Sequence, residues 1–279
     1  MIYKSDIWTL SPDEGLSAAT YQRIGLLDER SRQLTLGILP VKLNGWCAAC
    51  EGVRAIDFRS NHAVVDEERG MIHLAFSETG VCTTCLVNSR QRFAAEILRT
   101  RPASSRVYIT EHKTALRMRL ALTIADLTSS EYLGNYESGQ TVDGIRHEDL
   151  QNLSFESSSK DVILSLDVLE HVNDPLQSLR EIERVLAPGG VAVVTFPFYA
   201  DRTTTVRRSE IRDGQIVTLL PDEFHGNPLG GGSLVFSEFS WDFLRTVIQE
   251  IPGSRFVQYF SSHALHLGGW RFALLIEKP

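Results

Sequence analysis

The chain has 279 residues, enough for one large domain or a domain with an appendage. Hydrophobic residues make up 43% and charged residues 23%, which sets aside disorder, collagen and coiled coil. Its 28 Lys and Arg stand against 35 Asp and Glu, so the net charge of -7 excludes a surface that binds nucleic acid all round and leaves only a local basic patch. No apolar run approaches the roughly 18 residues a bilayer span needs. The opening MIYKSDIWTLSPDEG carries acids and polar residues where a signal peptide needs an apolar stretch. These features predict a soluble, cytoplasmic protein with no membrane partner and a core that needs no disulfides.

In chain order, Leu16, Ala19, Ile24, Leu27, Leu34 and Ile38 recur at mixed helical spacing, and Pro40 follows them. Residues 1–40 are therefore predicted as a helical segment. Residues 41–105 hold all four cysteines, in two pairs: Cys47-Ala-Ala-Cys50 and Cys82-Thr-Thr-Cys85, with 31 residues between the pairs. In a reducing compartment such pairs more often hold a metal than a disulfide, and two turns of this kind complete a tetrahedron around zinc. Four thiolates leave no open position, so the expected zinc is structural. Gly45, Gly52 and Gly80 flank the pairs, as tight turns around an ion would require. The alternative is four ordinary buried thiols. Ala55–Phe58 and Met71–Phe76 read as short strands, Phe93, Ala94, Ile97 and Leu98 as a helix face, and Arg101–Ser105 as a linker.

From 106 to 279 strands alternate with helices. Strands are predicted at Arg106–Thr110, Ala125–Ser130, Gly144–His147, Asp161–Leu166, Val191–Phe196, Arg255–Phe260 and Trp270–Glu277. Helices are predicted near 114–122 and over Leu176–Leu186 and Trp241–Glu250, with Pro188-Gly-Gly190 as a turn. Near-continuous apolar strands mark a parallel sheet covered by helices on both faces.

The run Asp161-Val-Ile-Leu-Ser-Leu-Asp-Val-Leu-Glu-His-Val172, then Asp174-Pro175, Glu181 and Arg184-Val-Leu-Ala-Pro-Gly-Gly190, resembles the centre of a class I S-adenosylmethionine-dependent methyltransferase of the type 11 kind. The resemblance covers about the last two thirds of the chain. It implies an α/β fold with a Rossmann-like seven-stranded methyltransferase sheet, S-adenosylmethionine as cofactor, and a front zinc module of the sort some such enzymes carry. One departure stands out. The family usually has a Gly-x-Gly-x-Gly loop after its first strand, where glycine lets the backbone approach the cofactor. Here the strand runs into Thr110-Glu-His-Lys-Thr114, which has no glycine, although Glu111 occupies the place of the acid that opens the family motif.

Six residues are candidates to hold the cofactor. Glu111 is one. Glu131 falls at the end of the second strand, where a carboxylate can take both ribose hydroxyls, and its alternative is a solvated loop acid. Tyr132 could pack on the adenine or ribose, or belong to the core. The resemblance gives Asp149 the adenine amino group and the Leu150 amide a ring nitrogen; Asp149 could equally cap its turn. Asp167 could face the methionine end or cap a loop. His171 and His225 are candidate bases that would take a proton from a hydroxyl nucleophile. The alternatives are that His171 only holds its loop and that His225 is a surface histidine. Residues 200–237 form a long, glycine-rich insert, often a binding lid. Its Arg202, Arg207, Arg208 and Arg212 suggest an anionic substrate or a merely solvated loop.

Three functions compete: O-methylation of a small-molecule or glycan acceptor; a scaffold that kept the fold and lost the cofactor; and an RNA methyltransferase presenting Arg90, Arg92, Arg99 and Arg101 to phosphate. The acidic charge and the lack of interleaved aromatics weigh against the last.

Overall fold

A computed structural model describes residues 6–9, 41–58, 63–66, 71–74, 80–260 and 271–279. The helices expected over 14–39 lie outside the described residues. The chain divides into two compact units. One comprises Met1–Arg101 with Val257–Phe272, the other Pro102–Phe256 with Ala273–Pro279.

In the first unit the described strands are β1 (Asp6–Thr9), β2 (Val41–Cys47), β3 (Gly52–Phe58), β4 (Ala63–Asp66), β5 (Met71–Leu74) and β6 (Gly80–Cys82). β2, β3 and β6 form an antiparallel sheet in that order, and β4 pairs antiparallel with β5. A helix, α1 (Ser89–Leu98), follows. It starts where it does because Asn88 and Gln91 build a capping box: the Gln91 amide donates to Asn88 Oδ1 at 3.0 Å and the Asn88 amide to Gln91 Oε1 at 3.2 Å. Phe93, Ala94, Ala95 and Leu98 are its buried apolar residues. β1 is a strand in a stretch read as helical. Its Ile-Trp-Thr sequence is strongly β-prone, and it pairs antiparallel with residues 257–260.

The second unit contains β7 (Val107–Ile109), α2 (Ala115–Leu120), β8 (Leu127–Ser129), β9 (Thr141–Val142), β10 (Ile145–Arg146), β11 (Lys160–Leu166), α3 (Pro175–Val185) and β12 (Leu186–Thr195). Short strands β13 (Val206–Arg207), β14 (Ser209–Arg212), β15 (Gln215–Thr218), β16 (Phe224–His225), β17 (Ser233–Leu234) and β18 (Ser237–Glu238) follow. They precede α4 (Trp241–Glu250), β19 (Ser254–Phe260) and β20 (Arg271–Glu277). The large sheet runs β8–β7–β11–β12–β20–β19, with β1 added beyond β19 for seven strands. β8, β7, β11 and β12 are parallel, and β20 is antiparallel to β12. Val162, Ile163, Leu164, Ala192, Val193 and Val194 are fully buried, as the unbroken apolar runs required. Each large aliphatic side chain among them adds about 1.5–3 kcal/mol by leaving water.

Two sequence expectations are corrected here. The third predicted strand does not join the sheet: β10 folds back on β9 as a hairpin, and only a single parallel bridge, Glu131 to His147, continues the ladder beyond β8. The seventh strand is β1 instead. Secondly, Pro188-Gly-Gly190 lies inside β12. The register against β11 jumps from Lys160↔Leu186 to Val162↔Val191, so the glycines form a bulge. Gly189 has φ +74, and a Cβ on Gly190 would meet the Ala187 carbonyl oxygen at 2.8 Å.

The order places the site. The chain steps outward from β7 to β8, then returns across β7 to β11. At such a reversal, ligands bind outside the carboxyl ends of the strands. Thr110–Thr114 leaves β7 at that edge, and Asp167 leaves β11.

Candidate functional site

In the first unit the two cysteine pairs meet. Cys47 Sγ lies 3.6 Å from Cys85 Sγ and Cys50 Sγ 4.0 Å from Cys82 Sγ, and all four sulfurs fall within 4.8 Å of one another. Thiolates about 2.3 Å from a tetrahedral zinc sit roughly 3.8 Å apart, so the separations fit the ion. Each pair closes the same way: the residue after its second cysteine, Glu51 or Leu86, takes a left-handed backbone with φ 54° or 63°. The flanking glycines do not make these turns; Gly45, Gly52 and Gly80 lie in strands. Crowding opposes ionisation of the bare thiols. Burial and the Cys85 thiol push Cys50 up to about 11, and the Cys47 thiol and burial push Cys85 up as well. A bound cation would reverse that preference.

The arginines beside this cluster are largely engaged. Arg92 is buried and donates to the Gly80 carbonyl and to Ser89 Oγ. Arg99 stacks on Trp46 at 5.6 Å and pairs with Glu51 at 3.3 Å.

At the carboxyl edge of β7 and β8, the loop without glycine needs none. No residue from 110 to 114 has a positive φ. Its amides turn toward Glu131, whose Oε1 accepts from the His112 N–H at 2.8 Å and the Lys113 N–H at 3.1 Å. Glu131 Oε2 accepts no bond among the described residues. Glu111 is buried and accepts from Thr114 Oγ1 at 2.9 Å, while Thr114 Oγ1 caps α2 through the Arg117 amide. His112 Nδ1 meets Ser129 Oγ at 2.9 Å, and burial holds the imidazole below its ordinary value.

The other candidates lie close by. Tyr132 is 60% exposed, and its ring stands 5.3 Å from that of His147. His147 was not singled out in the sequence. It is buried, its Nδ1 accepts from the Leu133 amide at 2.9 Å, and its Nε2 then carries the hydrogen but finds no partner. Asp149 closes its own turn, with Oδ1 accepting from the Gln151 amide at 2.9 Å. The Leu150 amide has no acceptor among the described residues. Asp167, at φ 54°, exchanges bonds with Thr195: its N–H donates to Thr195 Oγ1 at 3.1 Å, and that hydroxyl donates to Asp167 Oδ1 at 2.7 Å. It ties the ends of β11 and β12 together.

The two candidate bases come together. A 3-10 turn, Leu169–His171, follows β11, and β16 brings His225 to it. The imidazoles stand 5.2 Å apart, edge to face. Between them is Glu170, with a side chain 1% exposed. Glu170 Oε1 lies 3.6 Å from His171 Nε2 and 3.5 Å from His225 Nδ1, and neither carboxylate oxygen has a hydrogen-bond partner. His171 Nδ1 is 2.8 Å from the Leu234 carbonyl and His225 Nε2 is 3.4 Å from Glu223 Oε1. The Glu170 carboxylate, then burial working against it, sets His225, and the balance is above its ordinary value. Glu170 and Glu223 were missed as site residues. The adjacency of Glu170 to His171 was the only signal for the first.

The insert's arginines do not present a free basic face. Arg202 and Arg208 both pair with Glu238, Arg207 donates to the Asn173 side chain at 2.7 Å, and Arg212 pairs with Glu210. Arg202 also lies over the Tyr199 ring at 3.9 Å, and Phe198 packs on Trp241 and Phe256.

Strand order, the reversal at β7 and β11, and the helices between the strands give an α/β, Rossmann-like methyltransferase fold. Residues 115–194 match a family model described as "Methyltransferase domain". A curated relative from Mycolicibacterium smegmatis, described as a "Probable S-adenosylmethionine-dependent methyltransferase", is 43% identical over 53 residues, which is 19% of this chain and 21% of that protein. Among solved structures, a Burkholderia thailandensis 1,6-didemethyltoxoflavin-N1-methyltransferase is 14% identical, with 68% of this chain and 78% of that one covered at a TM-score of 0.39. A Methanosarcina mazei SAM-dependent methyltransferase is also 14% identical, covering 65% and 96% at 0.38. At those scores the two structures add nothing to what the strand order establishes. Among the described residues, no helix is long and apolar enough to cross a membrane.

Proposed function

We propose that the second unit is an S-adenosylmethionine-dependent methyltransferase acting on a hydroxyl of a small-molecule or glycan acceptor. The observation that carries this reading is the strand order with its reversal between β7 and β11, over a stretch that matches a methyltransferase domain. Three polar groups at that edge fit the cofactor. Glu131 Oε2 would take a ribose hydroxyl, the Leu150 amide would donate to an adenine ring nitrogen, and the His147 Nε2–H would donate to a further acceptor of the nucleoside. Glu111 and Asp149 shape the loops around them, Tyr132 supplies a ring to stack, and Asp167 fixes the edge between β11 and β12.

The cofactor supplies a methyl group on a sulfonium that leaves as a neutral thioether. The protein therefore has little charge to stabilise and mainly aligns the nucleophile with the methyl carbon. Alignment of that kind is worth roughly 7–11 kcal/mol in the best cases. In the metal-free protein His171 and His225 would be the groups to take the acceptor's proton, a contribution of about two to four powers of ten. In the first unit Cys47, Cys50, Cys82 and Cys85 would hold zinc as a structural ion, with all four positions filled by protein.

A scaffold reading competes because the His112 and Lys113 amides are already satisfied by Glu131. Calorimetric titration with S-adenosylmethionine and with its demethylated product decides between the two. Micromolar binding to either, weakened tenfold or more by Glu131→Ala, is the expected result. No binding by well-folded protein would make the scaffold reading the better one.

A further inference from the structure

We propose that Glu170, His171 and His225 form a second metal site, which holds a divalent first-row transition-metal ion with at least one position open to solvent or ligand. The argument starts from an electrostatic mismatch. The Glu170 carboxylate is buried to 1% exposure, yet neither oxygen accepts a hydrogen bond. Leaving such a group unpartnered costs several kcal/mol in general, so native proteins pair it or bind a cation with it.

Its nearest neighbours are two imidazole nitrogens, and for His171 the tautomer follows from geometry. A carbonyl only accepts, so the 2.8 Å contact of His171 Nδ1 with Leu234 O requires that nitrogen to carry the hydrogen. The neutral ring then points its Nε2 lone pair at Glu170 Oε1. His225 would repeat the arrangement with the nitrogens exchanged once a cation displaces any proton on its Nδ1. Its Nε2 looks toward the Glu223 carboxylate at 3.4 Å, and its Nδ1 toward the same Glu170 oxygen. Metal-binding histidines are held in just this manner, with the second ring nitrogen donating to a backbone carbonyl or a carboxylate. Two nitrogens and one oxygen are a donor set for zinc, iron, cobalt or their neighbours.

The distances agree. A hydrogen bond would bring nitrogen and oxygen to about 2.7–3.2 Å. Donors about 2.1 Å from a tetrahedral ion lie roughly 3.4 Å apart. The observed contacts are 3.5 and 3.6 Å, and all three donor atoms fall within 4.8 Å of one another. A proton on His225 is the competing way to relieve the mismatch, and a metal titration separates the two. The framework is fixed from both sides. The Phe236 amide donates to the Glu170 carbonyl at 2.7 Å, and the Val235 amide to the Glu223 carbonyl at 2.8 Å. Gly230, Gly231 and Gly232, all with positive φ, turn the hairpin that carries His225 back to Leu234. A cation here would also take an oxygen of the acceptor, a role that rests on the methyltransferase reading; the site itself does not.

The test is a cobalt(II) titration of the full chain after chelator treatment and dialysis. Cobalt on thiolates shows an intense near-ultraviolet charge-transfer band, and cobalt on imidazole and carboxylate does not. Two equivalents are expected to bind, one with the thiolate band and one without it. Glu170→Gln and His225→Gln should each remove the second equivalent and keep the band, which also reports that the variant has folded. A single equivalent in the wild-type protein, or a bandless equivalent that survives in both variants, would overturn the proposal. Neither result depends on cofactor binding, which calorimetry on the same samples reads separately.

Discussion

The two clusters of side chains that could hold a metal ion differ in what they leave open. The four sulfurs of the first unit come from two copies of one turn, each closed by a left-handed residue, and together they surround a point. The Glu170, His171 and His225 donors come from a 3-10 turn and a distant hairpin, and they are three rather than four. A closed shell of soft ligands gives folding energy; a partial shell of harder ligands leaves room for chemistry. The two clusters sit in separate units.

Mutations can break this contrast. Cys82→Ser should have the largest effect, because losing one of four ligands would remove the proposed structural zinc of a small unit. Bound zinc, measured by mass spectrometry, should fall, and the first unit should lose several kcal/mol and melt apart from the second. Full zinc and an unchanged melting curve would show that the thiols are merely buried neighbours. Glu170→Leu should go the other way. It removes a buried, unpartnered carboxylate, so the metal-free protein should gain about 1–3 kcal/mol in a urea titration. Loss of stability on that substitution would show that Glu170 is paired in a way the geometry does not display.

The smallest effect calibrates both. Glu181 accepts from Arg184 at 2.7 Å and from the Leu153 amide at 2.9 Å, and the Arg184 bond holds its carboxyl below the usual range. A carboxylate with a lowered value stabilises the fold above its unfolded value and loses that contribution as pH falls through the folded one. Glu181→Gln should therefore cost about 1 kcal/mol at neutral pH, and the difference from wild type should begin to fade below the unfolded glutamate value of about 4.3 and disappear once pH is below the lower folded value. A pH-independent cost would mean that shape and not charge is what Glu181 contributes.

Legibility in the sequence followed sequence distance. α4 was found residue for residue, and β11 and β12 within a few residues, because their apolar periodicity is local. The cysteine pairs were found because each is four residues long. The Glu170 cluster was only half found: His171 and His225 were named separately, and nothing in a linear pattern brings residue 225 to residue 171. Glu131 was placed at the right strand end, but its bonds to the His112 and Lys113 amides depend on a loop conformation that composition does not encode. The arginines of the insert looked like a basic face because the sequence does not show that Glu210 and Glu238 stand opposite them.

β1 also bears on how the molecule is made. Residues 6–9 pair with residues 257–260, which lie far from them in the sequence. Their ladder therefore closes a very long loop, a slow kind of step because its entropy is spent before any contact is gained. Until it closes, β19 presents an open row of backbone donors and acceptors, the usual template for intermolecular pairing. Removing residues 6–9 would leave that row permanently bare.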